Sequence, residues 1–276
     1  MKRFFKSVGI LTMFLFLFVV VMLLVGGVVE ITLPNMSEDV RLMLAYFCSM
    51  IAVYGMTILV ERVVFKRVLP VYNAKSGFNP VVLLLGFILT LSVSVILLPL
   101  EHLLSPDSRT FSDGFGTLLM VVLLAPIFEE MVFRARLYNI LSRNTSPFIS
   151  ASLSAIAFGV VHLQPIVIIE ALFMGVIFSY FYLSQRSIFT PIMLHIFNNS
   201  IAYALIVLSY RGETLHDIVG GGDMTVVVYV VSAIIAICGA VVIARFFKAE
   251  KRRGRGVECE GVETISESLD VEQPAE

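Results

Sequence analysis

Charged residues are scarce in this chain: they make up 15% of its 276 residues, against 58% hydrophobic. A soluble domain carries nearer a quarter charged. The shortage excludes a water-soluble globular fold and predicts an all-α, polytopic membrane protein that uses nearly all of its length in spanning. Cysteine is scarcer still. Cys48, Cys238 and Cys259 fit neither a disulfide framework nor a zinc site. Cys48 and Cys238 fall in predicted spans and read as small buried apolar groups. No internal repeat, phosphate-binding glycine loop or nucleic-acid signature is present, and there is no His-Glu-x-x-His. The apolar run after Met1-Lys2-Arg3-Phe4-Phe5-Lys6 exceeds the length of a signal h-region and lacks a small-x-small cleavage site. It is expected to be a retained first span.

What the chain does have is long apolar runs, each close to the ~20 residues needed to cross a bilayer. Hydropathy predicts about eight spans, at roughly 8–29, 42–60, 81–100, 115–138, 147–162, 165–184, 190–208 and 224–247. Turn-forming stretches such as Leu33-Pro34-Asn35 and Gly220-Gly221-Gly222-Asp223 separate most of them. With the N-terminus inside, all 20 Lys and Arg except Arg41, Arg109 and Arg211 fall on the inner side. So strong a bias supports an even span count and cytoplasmic termini in a multi-pass cell-membrane protein. The expected organisation is a membrane domain at 1–248 and a charged, disordered cytoplasmic tail at 249–276, whose basic part rests on anionic headgroups.

Three small polar clusters interrupt the apolar runs. A carboxylate or imidazole in hydrocarbon costs at least ~2.5–3.5 kcal/mol, so such residues face a protein interior or a wet cavity. The first cluster is Glu129-Glu130-Met131-Val132-Phe133-Arg134. Glu130 and Arg134 share a helix face and suit an intrahelical ion pair. Glu129 is then the unpaired acid, the property wanted in a general base. Pro126, one turn earlier, frees a backbone carbonyl and favours a kink. Taken alone, the cluster reads more readily as a helix-end ion pair, with Arg134 and Arg136 reaching toward the interface.

The second cluster is Phe158-Gly159-Val160-Val161-His162, closing a short fifth span. The turn after it, Leu163-Gln164-Pro165, is expected to stop inside the membrane and line a wet cavity. The third follows the helix start Thr190-Pro191: His195 and Asn199 lie four apart, donors able to hold an oxyanion or to bond between helices. Glu170 in the sixth span is a weaker candidate for the same cavity. One shared cavity explains all three clusters together, where separate structural roles need three coincidences.

In this order, Glu-Glu-x-x-x-Arg, Phe-x-x-x-His and His-x-x-x-Asn resemble the CPBP intramembrane proteases: type II CAAX prenyl endopeptidases and bacteriocin-processing or self-immunity proteins, also called the Abi family. The resemblance covers about residues 115–205, and the first three spans carry no diagnostic residue. It implies eight helices around a conical cavity and an endopeptidase acting on a membrane-associated protein or peptide. It further implies that Glu129 with His162 activates a water, that His195 and Asn199 stabilise the oxyanion, and that Glu130 and Arg134 support the site. The preferred mechanism needs no metal. The alternative is a divalent ion such as zinc, held by Glu129, His162 and His195. Where the family usually has Gly after Phe-Arg, this chain has Ala135.

Two other function classes compete. One is a non-catalytic membrane scaffold or modulator, acting in bacteriocin immunity or beside a sensor or secretion partner. The other is a transporter, since midplane acids and histidines also relay protons, but no inverted repeat or pair of matching broken helices supports it. No nucleic-acid partner is expected.

Overall fold

Backbone polar groups in hydrocarbon must be satisfied within the segment, so an apolar chain of this kind folds as helices. A computed structural model bears this out. It describes residues 2–66, 68, 71, 79–104, 114–210 and 215–269. The helices are α1 (Lys2–Thr32), α2 (Glu38–Phe65), α3 (Pro80–Leu104), α4 (Phe115–Ser142), α5 (Pro147–Val160), α6 (Pro165–Gln185), α7 (Phe189–Tyr210), α8 (Leu215–Val219) and α9 (Gly222–Leu269).

Local chemistry explains several boundaries. Prolines open α3, α5 and α6, where their missing N–H costs nothing. Asn79 caps α3, its Oδ1 accepting from the N–H groups of Val81 and Val82 at 2.9 and 3.3 Å. The Asp39 carboxylate of α2 accepts from Gly116 N–H at 3.0 Å, placing an acid at the start of α4.

Among the described residues, six helices are long and apolar enough to cross a membrane: α1, α2, α3, α4, α6 and α9. The two other predicted spans are also helical, as α5 and α7. The fifth span ends sooner than expected, at Val160, and the fourth continues past 138 to Ser142. With 14 residues α5 is ~21 Å long, well short of the ~30 Å hydrocarbon core. Cys48 and Cys238 are exposed rather than buried. They sit on outward faces, where lipid receives an apolar thiol as readily as a core does. Side chains beyond Arg252 lie outside the described set, and so do residues 270–276, so the charged tail is left as an expectation.

Helix α4 is the centre of the bundle. Its Val132, Phe133, Leu137 and Leu141 join α1, α2 and α5 in one apolar cluster, where Phe133 meets Phe14, Phe18 and Phe158. Its Tyr138 joins a second cluster with Phe178, Tyr182 and Leu194 of α6 and α7. Helices α5 and α6 approach closely: a side chain at Gly175 would come within 2.6 Å of the Ala155 Cβ. Small residues permit such contact where no hydrophobic effect drives helices together.

Two stretches of α4 are wound as π-helix, Met120–Leu124 and Glu130–Tyr138. The first leaves one link open. Ala125 N–H bonds Met120 O, five residues back, so the next link in that pattern would run from residue 126 to Val121 O. Residue 126 is proline and has no N–H. The orphaned Val121 carbonyl is taken by Asn199 Nδ2 of α7 at 2.9 Å. Along the second stretch, Phe133 O accepts from the Ser154 hydroxyl at 2.7 Å and Ala135 O from Asn139 Nδ2 at 2.7 Å. Along both π-wound stretches, side chains thus complete backbone carbonyls, and at the first the missing N–H of Pro126 leaves one open for Asn199.

Candidate active site

Adjacent residues on a helix diverge, and α4 uses this to place two carboxylates on either side of one imidazole. His195 of α7 is buried, with Nδ1 2.9 Å from Glu130 Oε1 and Nε2 3.7 Å from Glu129 Oε2. Glu130 Oε1 also lies 3.0 Å from Arg134 Nη1, forming the predicted i, i+4 ion pair with both side chains fully buried. The guanidinium stacks over Phe158 at 4.4 Å and faces Phe178 at 5.4 Å. Aromatic faces offer a partner that an interior arginine otherwise lacks. Phe178 also packs at 5.0 Å on the His195 ring.

Glu129 is not left unpaired, as the sequence suggested. The Tyr46 hydroxyl of α2 donates to its Oε1 at 2.8 Å, and His195 faces the other oxygen. The expectation failed because an intrahelical pattern cannot register a phenol 83 residues away. Tyr46 also shows that the early spans contribute to the site. A second residue there, Glu61, is fully buried and pairs with Arg136 at 3.4 Å, while Arg136 Nη2 donates to the Tyr54 hydroxyl at 2.9 Å. Neither Arg134 nor Arg136 reaches for the interface, since both carboxylate partners lie within the bundle.

His162 lies two residues beyond the end of α5, in the turn leading to α6. Its Nδ1 is 2.7 Å from Phe158 O. A carbonyl only accepts, so Nδ1 carries a proton and Nε2 is the nitrogen left for chemistry. The Phe158 ring stands edge-on to both imidazoles, 5.0 Å from His162 and 5.7 Å from His195. The next residue, Leu163, adopts a left-handed φ of 62° and is 82% exposed, which marks a tight apolar turn beside the imidazole.

Asn199 stands one turn beyond His195, with one amide hydrogen committed to Val121 O. Its neighbour Asn198 accepts from the Ser94 hydroxyl of α3 at 3.0 Å. Ala135 is fully buried, so the methyl is accommodated within the packed centre. Glu170 is half-buried on α6. The structure thus brings Glu129, Glu130, Arg134 and His195 into one contact network, attaches His162 through Phe158, and fastens Asn199 to the π-wound segment. Among the described residues, no group of three or more His, Cys, Asp or Glu stands where it could hold a metal ion. Glu129, His162 and His195 do not form such a group.

Comparison with known proteins falls on the same segment. Residues 111–201 match the family described as type II CAAX prenyl endopeptidase Rce1-like, a stretch that includes all three polar clusters and excludes α1–α3 and α9. Over 87 residues, 30% of this chain, the sequence is 31% identical to the Bacillus subtilis (strain 168) protein YdiL, provisionally named a membrane peptidase. That match spans 35% of the relative's length. No solved structure matches the chain. The resemblance read from the three clusters is therefore met by the family match.

Proposed function

We propose that this protein is an intramembrane endopeptidase that hydrolyses a peptide bond of a membrane-associated protein or peptide. The observation that carries the reading is the placement of His195 between two adjacent buried carboxylates, one charge-paired with Arg134 and the other bonded to a phenol. A purely structural ion pair needs only the Glu130–Arg134 half of this arrangement.

In the proposed mechanism Glu129 takes a proton from water as the oxygen attacks the scissile carbonyl. It later returns that proton to the leaving amine, so the carboxylate is regenerated. His162 orients the water through Nε2, the nitrogen its hydrogen bond to Phe158 O leaves free. When doubly protonated, His195 presents an Nε2–H donor, and Asn199 retains a second amide hydrogen; both serve the oxyanion of the tetrahedral intermediate. Glu130 and Arg134 do not touch substrate. They orient the His195 ring and balance each other's charge in the interior. The reading requires no metal, and a chelator is expected to leave turnover unchanged. It places both termini on the cytoplasmic side, as the Lys and Arg distribution argues.

The test is quantitative terminomics on native membranes, comparing wild type with Glu129→Gln at matched expression. Loss of a general base costs about 10²–10⁴ in rate, so termini produced by the wild type are expected to vanish in the variant. Identical termini from two folded, inserted proteins would overturn the reading. Full complementation of a deletion phenotype by the same variant would favour the scaffold.

A further inference from the structure

The Tyr46 hydroxyl lies outside every motif and outside the segment matched to the peptidase family. Yet among the described residues it makes the one hydrogen bond to the Glu129 side chain, at 2.8 Å across 83 residues of chain. Adjacent contacts hold the two helices in this register. Phe47 packs edge-on against Phe128 with ring centroids 5.5 Å apart, so successive residues on α2 and α4 pair side by side. Asp39 binds the start of α4 at Gly116, and Tyr54 with Glu61 holds Arg136 further along. Helix α2 is thus fastened to α4 at three levels, and the middle level is the acid itself.

A carboxylate has two oxygens and a freely turning terminal torsion. The groups facing Glu129 are Tyr46 from α2, His195 from α7, and Glu130 with Arg134 from its own helix. Of these, Tyr46 alone donates a hydrogen bond to Oε1; His195 lies on the Oε2 side at 3.7 Å. We infer that Tyr46 is a positioning residue: its hydroxyl holds Glu129 Oε1 and so presents Oε2 toward His195 and the attacking water. This assignment rests on the endopeptidase reading above and adds to it a residue on a helix that carries none of the motifs.

The experiment follows the rate at which wild-type-specific peptide termini accumulate in native membranes, using the full-length protein. Tyr46→Phe removes a single oxygen. It is expected to slow that rate about 10- to 100-fold while leaving the melting temperature within a few degrees of wild type, since only one hydrogen bond is lost. Incorporation of trifluorotyrosine at position 46 keeps the hydroxyl and the ring while changing the donor strength. A rate altered more than about threefold at unchanged melting temperature supports the assignment, and it applies even if Tyr46→Phe fails to accumulate. Wild-type rates in both variants, alongside an inactive Glu129→Gln, would overturn the role of Tyr46 and leave the endopeptidase reading standing. A fully active Glu129→Gln would overturn both.

Discussion

Arg134 and Arg136 are two residues apart on one helix and both are buried, yet they are held by different parts of the molecule. Arg134 pairs within its own helix, with Glu130 one turn back, and its remaining faces meet aromatic rings. Arg136 pairs across to Glu61 and Tyr54 on α2. In the proposed mechanism the first pair belongs to the chemistry, because Glu130 also holds His195. The second ties an early helix to the motif helix. A buried arginine in a membrane protein therefore has no role that can be assigned from its depth alone; the partner decides it.

The comparison breaks most visibly at Arg134. Arg134→Leu leaves Glu130 fully buried without its counter-charge, a change that costs ~3–5 kcal/mol when one partner of a buried pair is removed. The expected outcome is a steep fall in folded yield and melting temperature, together with lost turnover because Glu130, which orients His195, loses the guanidinium that holds it. Normal folding with only reduced turnover would show that Glu130 is neutral in the resting protein.

A charge exchange sharpens the contrast. Glu61→Arg combined with Arg136→Glu should restore much of the stability that either single change removes, because the pair spans two helices and Tyr54 can donate to a carboxylate as well as accept from a guanidinium. Glu130→Arg combined with Arg134→Glu should not recover. That exchange would place a cation against His195 Nδ1–H and a carboxylate over the Phe158 ring. Melting temperatures of the four single and two double variants read both cycles. Recovery in both would erase the distinction drawn here.

The smallest effect is expected at Asn199. Asn199→Ala removes one interhelical hydrogen bond to Val121 O, a loss of ~0.6–1.7 kcal/mol in membrane bundles. Its melting temperature should fall only slightly while turnover falls further. Equal, small losses in both would reduce Asn199 to a fastener for the π-wound segment.

The positions of the spans were legible because bilayer thickness imposes a length on every apolar run, and eight such runs correspond to eight helices. The Glu130–Arg134 pair was legible for a similar local reason: helical periodicity puts i and i+4 on one face. The shortness of α5 was also visible, in the early turn at Leu163-Gln164-Pro165. What escaped was whatever depends on a second helix. Tyr46 gave no signal, since a lone tyrosine in an apolar run is ordinary, and Glu61, just past the predicted end of the second run, belonged to no motif. The consequence of Pro126 was half visible. A freed carbonyl was foreseeable from the missing N–H; that Asn199 would supply the donor was not.

The amino-acid sequence by itself determined that the chain spans a membrane as helices, and which acids and histidines lie within the apolar runs, because desolvation and helical period act on neighbours in the chain. Only the tertiary structure decided which of those groups meet. The convergence of Glu129, Glu130 and His195, the phenol on Glu129 and the partner of Arg136 all depend on helix–helix register. That register is set by close packing at Gly175, Phe133 and Phe128, whose effect no single stretch of sequence contains.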